Sequence, residues 1–276
     1  MADLVGIFAV SHAPPIVRAW DAIGETSGLH RAFAELGRRI ASVRPDVMIV
    51  IGADHWANFF LENMPAICIG VGEEHDDPPE QWLADYPHRD MRGRADLAMH
   101  LAQSAFRAGF EPSVSYRLKL DHAFCVPLWK SGLDPLPMIV PVMINALQAP
   151  LPTVARCLDF GRVIADAIET GPSSARVAIL ASGGLSHSVG EPTMGQVDET
   201  FDREFLNRLD QGDPVRLVEY LTDARLSEAG NGAAEVRFWV AAHGAAGGRG
   251  FELIHYESVA ETYTGCGFGE WKGNPT

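Results

Sequence analysis

The chain has 276 residues, 47% apolar and 21% charged, with 22 Lys and Arg against 36 Asp and Glu for a formal net charge of −14. Such a composition buries a sizeable core and excludes a disordered chain. The negative balance repels phosphate and excludes a non-specific nucleic-acid binder. The four cysteines, Cys68, Cys125, Cys157 and Cys266, stand singly and read as reduced thiols rather than a disulfide framework. Met-Ala-Asp-Leu at the start lacks the basic stretch of a signal peptide. The longest uncharged stretch, 135–155, carries five prolines with Asn145 and Gln148, so no lipid-facing helix is expected. A cytoplasmic location with no membrane partner is the default expectation.

Leu4–Val10 is an uninterrupted apolar run, as in a strand buried on both faces. Ala32, Phe33, Leu36, Ile40 and Val43 follow at helical spacing. Asp46–Gly52 and Ala66–Val71 read as the second and third strands. Residues 72–91, rich in acid and proline, read as a long surface loop. Residues 92–109 are predicted helical and Ser113–Arg117 a strand. Pro137–Ile144 is a further buried strand whose proline points to an edge position or a bulge. A helix over Thr153–Glu169, a strand over Ala175–Ala181 and one or two helices over 198–222 come next. Gly230–His243 is predicted as a helix opened by Asn231 as its N-cap. The alternation predicts an α/β fold, one domain over 1–276, with a mixed, mainly parallel central sheet covered by helices on both faces.

Four histidines share a local context. His12 follows the first strand by two residues, and His55 follows the second by three. His122 comes after the strand at 113–117, and His187 after Ala175–Ala181 and the pair Gly183 and Gly184. Ligands bind α/β sheets beyond the carboxyl ends of strands, so the four are placed to meet there. Any one alone is more readily a hydrogen-bonded structural residue. Glu235 shares a helical face with Phe238, Trp239 and Ala242, which turns a carboxylate toward the core. There it must be paired, protonated or bound to metal, and pairing with Arg237 is the structural alternative. Two histidines and a carboxylate are the facial set used by non-haem Fe(II), and zinc accepts the same donors in hydrolases. The chain contains neither GxGxxG nor GxxxxGK[ST], so no organic cofactor is expected.

Five stretches carry a resemblance: SHAPP at 11–15, DHWANFFLENMPAICIG at 54–70, LDHAF at 120–124, SGGLSHSVG at 182–190 and NGAAEVRFW at 231–239. In their order and spacing the chain resembles the class III extradiol ring-cleavage dioxygenases, and the 54–70 stretch resembles the protocatechuate 4,5-dioxygenase β-subunit branch. The resemblance implies Fe(II) held by His12, His55 and Glu235, with His187 as acid–base catalyst and His122 as a second histidine near oxygen and substrate. It implies extradiol cleavage by O2 of a catecholic acid such as protocatechuate, giving a muconic semialdehyde. The same chemistry on 2-aminophenol, a methylated gallate, dihydroxyphenylpropionate or a hydroxypyridine is the alternative. A zinc-dependent hydrolase or a non-catalytic binding relative is the alternative of another class.

Gly183 and Gly184 are expected to let backbone approach the site and to aim His187. Asp54 and Asp121 would orient a ring or cap a turn, and Asn58 carries no assigned role. Arg18, Arg89 and Lys119 are the candidate partners for a substrate carboxylate. The 261–271 stretch reads as a strand and turn, with pocket lining as the alternative. The resemblance also implies a small α subunit that closes the pocket. Failing that, the chain closes its own site with the 72–91 loop or as a homo-oligomer. His30, His75, His88, His100, His243 and His255 are left structural.

Overall fold

The computed structural model describes residues 2–87, 91–172 and 174–273. Its strands are β1 (Asp3–Val10), β2 (Val47–Gly52), β3 (Ile67–Gly70), β4 (Glu74–His75), β5 (Met91–Arg92), β6 (Ser113–Ser115), β7 (Met138–Ile144), β8 (Arg176–Ser182), β9 (Gly250–Val259) and β10 (Thr264–Lys272). Its helices are α1 (Pro14–Ile23), α2 (Gly28–Ser42), α3 (Ala95–Arg107), α4 (His122–Lys130), α5 (Val154–Glu169), α6 (Glu199–Gln211), α7 (Pro214–Tyr220), α8 (Asp223–Glu228) and α9 (Val236–Ala246).

Eight strands form one sheet in the order β6-β3-β7-β2-β8-β1-β10-β9, while β4 and β5 pair separately. The centre is parallel: β7 with β2, β2 with β8, β8 with β1. The pairs β3 with β7, β1 with β10 and β10 with β9 are antiparallel, so the sheet is mixed as expected.

Alternation along the central strands divides the core in two. Val47, Ile49 and Ile51 of β2, with Val177, Ile179 and Ala181 of β8, face a layer that includes Leu97, Phe160 and Trp239 from α3, α5 and α9. Met48 and Val50, with Ala178 and Leu180, face Phe33, Leu36, Phe124 and Leu128 from α2 and α4. Both faces of these strands are dry, which is why they read as continuous apolar runs rather than alternating ones.

Two expectations need correction. Pro141 sits neither on an edge strand nor at a register break, because β7 runs between β2 and β3. The pairing with β3 ends at Val142, the residue after Pro141, so the ladder on that side stops where its donor is missing. The helix predicted from Gly230 is instead a 3-10 turn at Asn231–Glu235 leading into α9, and Asn231 does not cap it. Its amide exchanges hydrogen bonds with the Val189 backbone, donating to the carbonyl at 2.9 Å and accepting from the N–H at 2.8 Å.

The 198–222 region supplies α6 and α7. The strand read at 113–117 is the short β6, at the sheet edge. The 261–271 stretch contributes the buried β10, which pairs Ile7 with Trp271 and Val10 with Phe268. All four cysteines are buried and free. Among the described residues no helix is long and apolar enough to cross a membrane.

Candidate active site

β2, β8 and β1 are neighbours and run parallel, so the segments leaving their carboxyl ends open on the same side of the sheet. His12 leaves β1, and Pro14 and Pro15 start α1 directly behind it, where a missing N–H costs nothing. His55 leaves β2, and Trp56 turns the chain sharply beyond it in the left-handed region, at φ 61°. Ser182 ends β8 and Gly183 follows. Glu235 sits where the 3-10 turn passes into α9, and His122 opens α4.

These side chains converge. One carboxylate oxygen, Glu235 Oε1, lies 3.1 Å from His55 Nε2 and 3.6 Å from His12 Nε2. The His12 ring centroid is 5.2 Å from that of His55 and 5.3 Å from that of His122, and the latter two are 4.1 Å apart. His12, His55 and His122 each offer a nitrogen within 4.8 Å of the others.

Each of the three imidazoles is tethered through Nδ1. The Ser182 hydroxyl donates to the Ala123 carbonyl, so toward His12 it acts as acceptor, 2.9 Å from Nδ1. That anchors the His12 ring through Nδ1 and presents its Nε2 edge to Glu235. His55 Nδ1 faces Asp121 Oδ2 at 3.3 Å, and His122 Nδ1 faces Glu80 Oε1 at 2.7 Å. Histidines oriented from behind by an acceptor are the usual outer support of a metal site.

The electrostatics run the same way. Burial opposes the charge on Glu235, yet His12 and His55 hold its carboxyl well below the usual range. Burial also disfavours a charged His55, but Asp121 and Glu235 outweigh it and raise its pKa to about 10. Burial, reinforced by His55, keeps His122 neutral, and burial likewise lowers His187. An anion ringed by imidazoles that draws a proton this strongly is a donor set suited to a divalent cation.

His187 stands beside the cluster, with Nδ1 3.0 Å from its acceptor, the Leu185 carbonyl. A Cβ at Gly184 or at Gly232 would fall against its ring, so backbone alone walls it there. Gly183 is as constrained, since a Cβ would press on Phe238 and Glu235, and the Gly184 N–H donates to Glu235 Oε2 at 2.6 Å. The glycine pair therefore does what the sequence leads one to expect, and holds the carboxylate as well.

The expected residues His12, His55, His122 and Glu235 are thus brought together, with His187 alongside. Arg237 does not pair with Glu235, because its guanidinium is taken by the Pro152 and Ala234 carbonyls and by Asp223. Asp121 is both orienter and cap: it holds the His55 N–H and ring and caps α4 through Ala123 N–H. Asp54 is a cap only, accepting from the backbone of Asn58 and Phe59 and from the Asn58 amide. Asn58 clips that loop to the Lys119 backbone.

Sequence reasoning overlooked Ser182, Glu80 and Asp202. Glu80 lies in the 72–91 loop, and Trp82 from the same loop meets His122 at 5.6 Å between centroids. The only signal was that so long a segment inside a packed domain is often functional. Asp202, without exposure, accepts from Ser186 N–H and Oγ at 2.8 and 2.9 Å and from Tyr256 OH at 2.8 Å, fixing the residue before His187.

Of the candidate cations, Arg18 lies over the Trp82 ring. Lys119 lines a separate cavity of about 320 Å³ with His75, Asp76, Asp77, Pro79 and Arg117. Arg89, like His88, lies outside the described residues. His30 stacks on Trp20, and His243 accepts from Trp271. His100 meets Thr170 and His255 meets Glu257, while neither buried ring nitrogen of His75 has a hydrogen-bond partner.

Residues 6–271 match the family described as the catalytic LigB subunit of aromatic ring-opening dioxygenase. The 2,3-dihydroxyphenylpropionate/2,3-dihydroxicinnamic acid 1,2-dioxygenase of Klebsiella pneumoniae is 27% identical, covering 87% of this chain and 89% of its own. A second enzyme of that name from Pseudomonas putida is 29% identical, covering 87% of each. In fold the chain is similar to the crystal structure of the uncharacterized protein JW3007 from Escherichia coli K12, with a TM-score of 0.66 at 17% identity over 96% of this chain and 99% of that one.

Proposed function

The chain belongs to the family of catalytic LigB subunits of aromatic ring-opening dioxygenases, and from that premise we propose that it opens a catecholic acid with O2 at an Fe(II) held by His12, His55 and Glu235. The observation that carries the assignment is the single Glu235 oxygen facing two imidazole nitrogens at 3.1 and 3.6 Å. The anchored Nδ1 atoms of those rings support it. Family membership sets aside the zinc hydrolase.

Bound there, Fe(II) would supply a common centre for the diol oxygens and O2 and would acidify the phenol. The protein supplies the rest. His187, neutral because buried, takes the phenolic proton on Nε2, since Nδ1 is committed to the Leu185 carbonyl. It returns that proton as the ring opens. His122, neutral and held through Nδ1 by Glu80, is assigned Nε2 as its working nitrogen beside the His12 and His55 rings. Glu80 and Trp82 make residues 80–82 a wall of the site. We therefore expect the chain to work without a separate small subunit.

The relatives named above act, by their names, on dihydroxyphenylpropionate, while the 54–70 stretch points to protocatechuate. Both are catechols bearing a carboxylate, and that is the substrate class proposed. The test is oxygen uptake by anaerobically prepared, Fe(II)-loaded chain with a panel of catechols and aminophenols, with a scan for the yellow ring-opened product. Uptake with a yellow semialdehyde supports the reading. An iron-loaded chain that consumes no oxygen with any compound refutes it.

A further inference from the structure

We propose that Arg18, carried on the face of Trp82, is the residue that selects the substrate's acid group. The inference rests on the functional reading above and adds its specificity determinant. Two chain segments that leave the histidine cluster provide the geometry. On one side α1 starts two residues after His12 and carries Arg18 to the surface. On the other, Glu80 holds His122 and, two residues on, Trp82 turns its ring to within 5.6 Å of the His122 ring. The Arg18 guanidinium lies 5.6 Å from the centroid of that same tryptophan. Trp82 therefore borders both the cation and His122, and the guanidinium lies within about 11 Å of the His122 ring.

Arg18 is exposed and, among the described residues, has no carboxylate partner. Other helix arginines are committed: Arg38 and Arg39 to Glu35, and Arg203 to Glu199. In a chain with a net charge of −14, an unneutralised guanidinium beside a catalytic cluster is the local positive spot an anionic substrate needs. Stacking on Trp82 restrains the side chain and leaves its N–H fork for a carboxylate. Lys119 is the poorer choice, because its cavity also holds Asp76 and Asp77.

The experiment compares wild type, Arg18→Met and Arg18→Lys, each Fe(II)-loaded, by oxygen uptake with 2,3-dihydroxyphenylpropionate and with its neutral isostere 3-propylcatechol. The readout is the ratio of kcat/KM for acid over isostere within each protein, which cancels differences in iron loading. Arg18→Met is expected to lower that ratio about 10- to 100-fold, chiefly through KM, as for loss of a charge-assisted pair. Arg18→Lys should restore part of it, and added salt should compress the ratio in wild type but not in Arg18→Met. An equal ratio in all three proteins, or a wild type without acid preference, overturns the inference alone. A wild type that binds iron but turns over neither these two compounds nor any other of the panel above overturns the functional reading and the inference together.

Discussion

Asp202 is buried completely, and its pKa is raised to about 6 chiefly by that burial, which the hydrogen bonds from Tyr256 and Ser186 only partly offset. Unfolding returns it to its ordinary 3.8. A carboxyl whose folded pKa exceeds its unfolded one stabilises the fold fully below the unfolded value, and that contribution is lost as pH rises through the folded value. The full difference amounts to about 3 kcal/mol, of which about 2 kcal/mol is present at about pH 4.5 and almost none at about pH 7. Asp202→Asn keeps the shape and cannot titrate. Other groups, including His55 and Glu235, titrate alike in both proteins and cancel in the difference. Urea unfolding of both proteins should therefore show wild type gaining about 2 kcal/mol on the variant between about pH 7 and about pH 4.5. Parallel stabilities across that range would refute the reasoning. A wild type that lost ground on acidification would mean that the carboxylate is held ionised.

Glu235→Ala, which removes the carboxylate shared by His12 and His55, should leave a chain that retains less than about a tenth of its iron after gel filtration, measured by metal analysis. Ser182→Ala removes the acceptor behind His12 Nδ1, and iron affinity should fall about 10- to 100-fold in a chelator competition. His187→Ala should keep its iron yet lose about 10²- to 10⁴-fold in kcat, since on the proposed assignment it removes the proton carrier and no ligand.

What was readable in the sequence follows from where water is absent. β2 and β8 are dry on both faces, as is β1 over residues 7–10, so each appears as an apolar run, and the residues just past such runs are where a site can form. His12, His55 and His187 were legible for that reason, and Glu235 because a carboxylate among Phe238 and Trp239 needs a partner. Glu80 left no such trace, being one acid in an acidic loop that tertiary contact alone carries to His122. β9 is half-buried along most of its length, so its pattern is blurred. Asn231 fits a cap by type, but the Val189 backbone outcompetes the first turn for its amide. Which cation meets the substrate depends on the placement of Trp82, which no spacing encodes.

The pairing of β1 with β10 bears on how the site comes into being during synthesis. Ser11, next to His12, accepts from Gly267 N–H at 2.9 Å, and its own N–H and hydroxyl donate to the Gly267 and Gly265 carbonyls at 2.9 and 3.1 Å. The segment bearing His12 is thus fixed by residues the ribosome adds some 250 positions later. Contacts of such sequence separation form late, because the loop they close is long. While the chain is growing, β1 has a bare edge where β10 will lie, and edges of that kind invite pairing with other chains. On the proposed assignment, metal capture at His12, His55 and Glu235 would accordingly wait for β10, the strand that fixes the segment bearing His12.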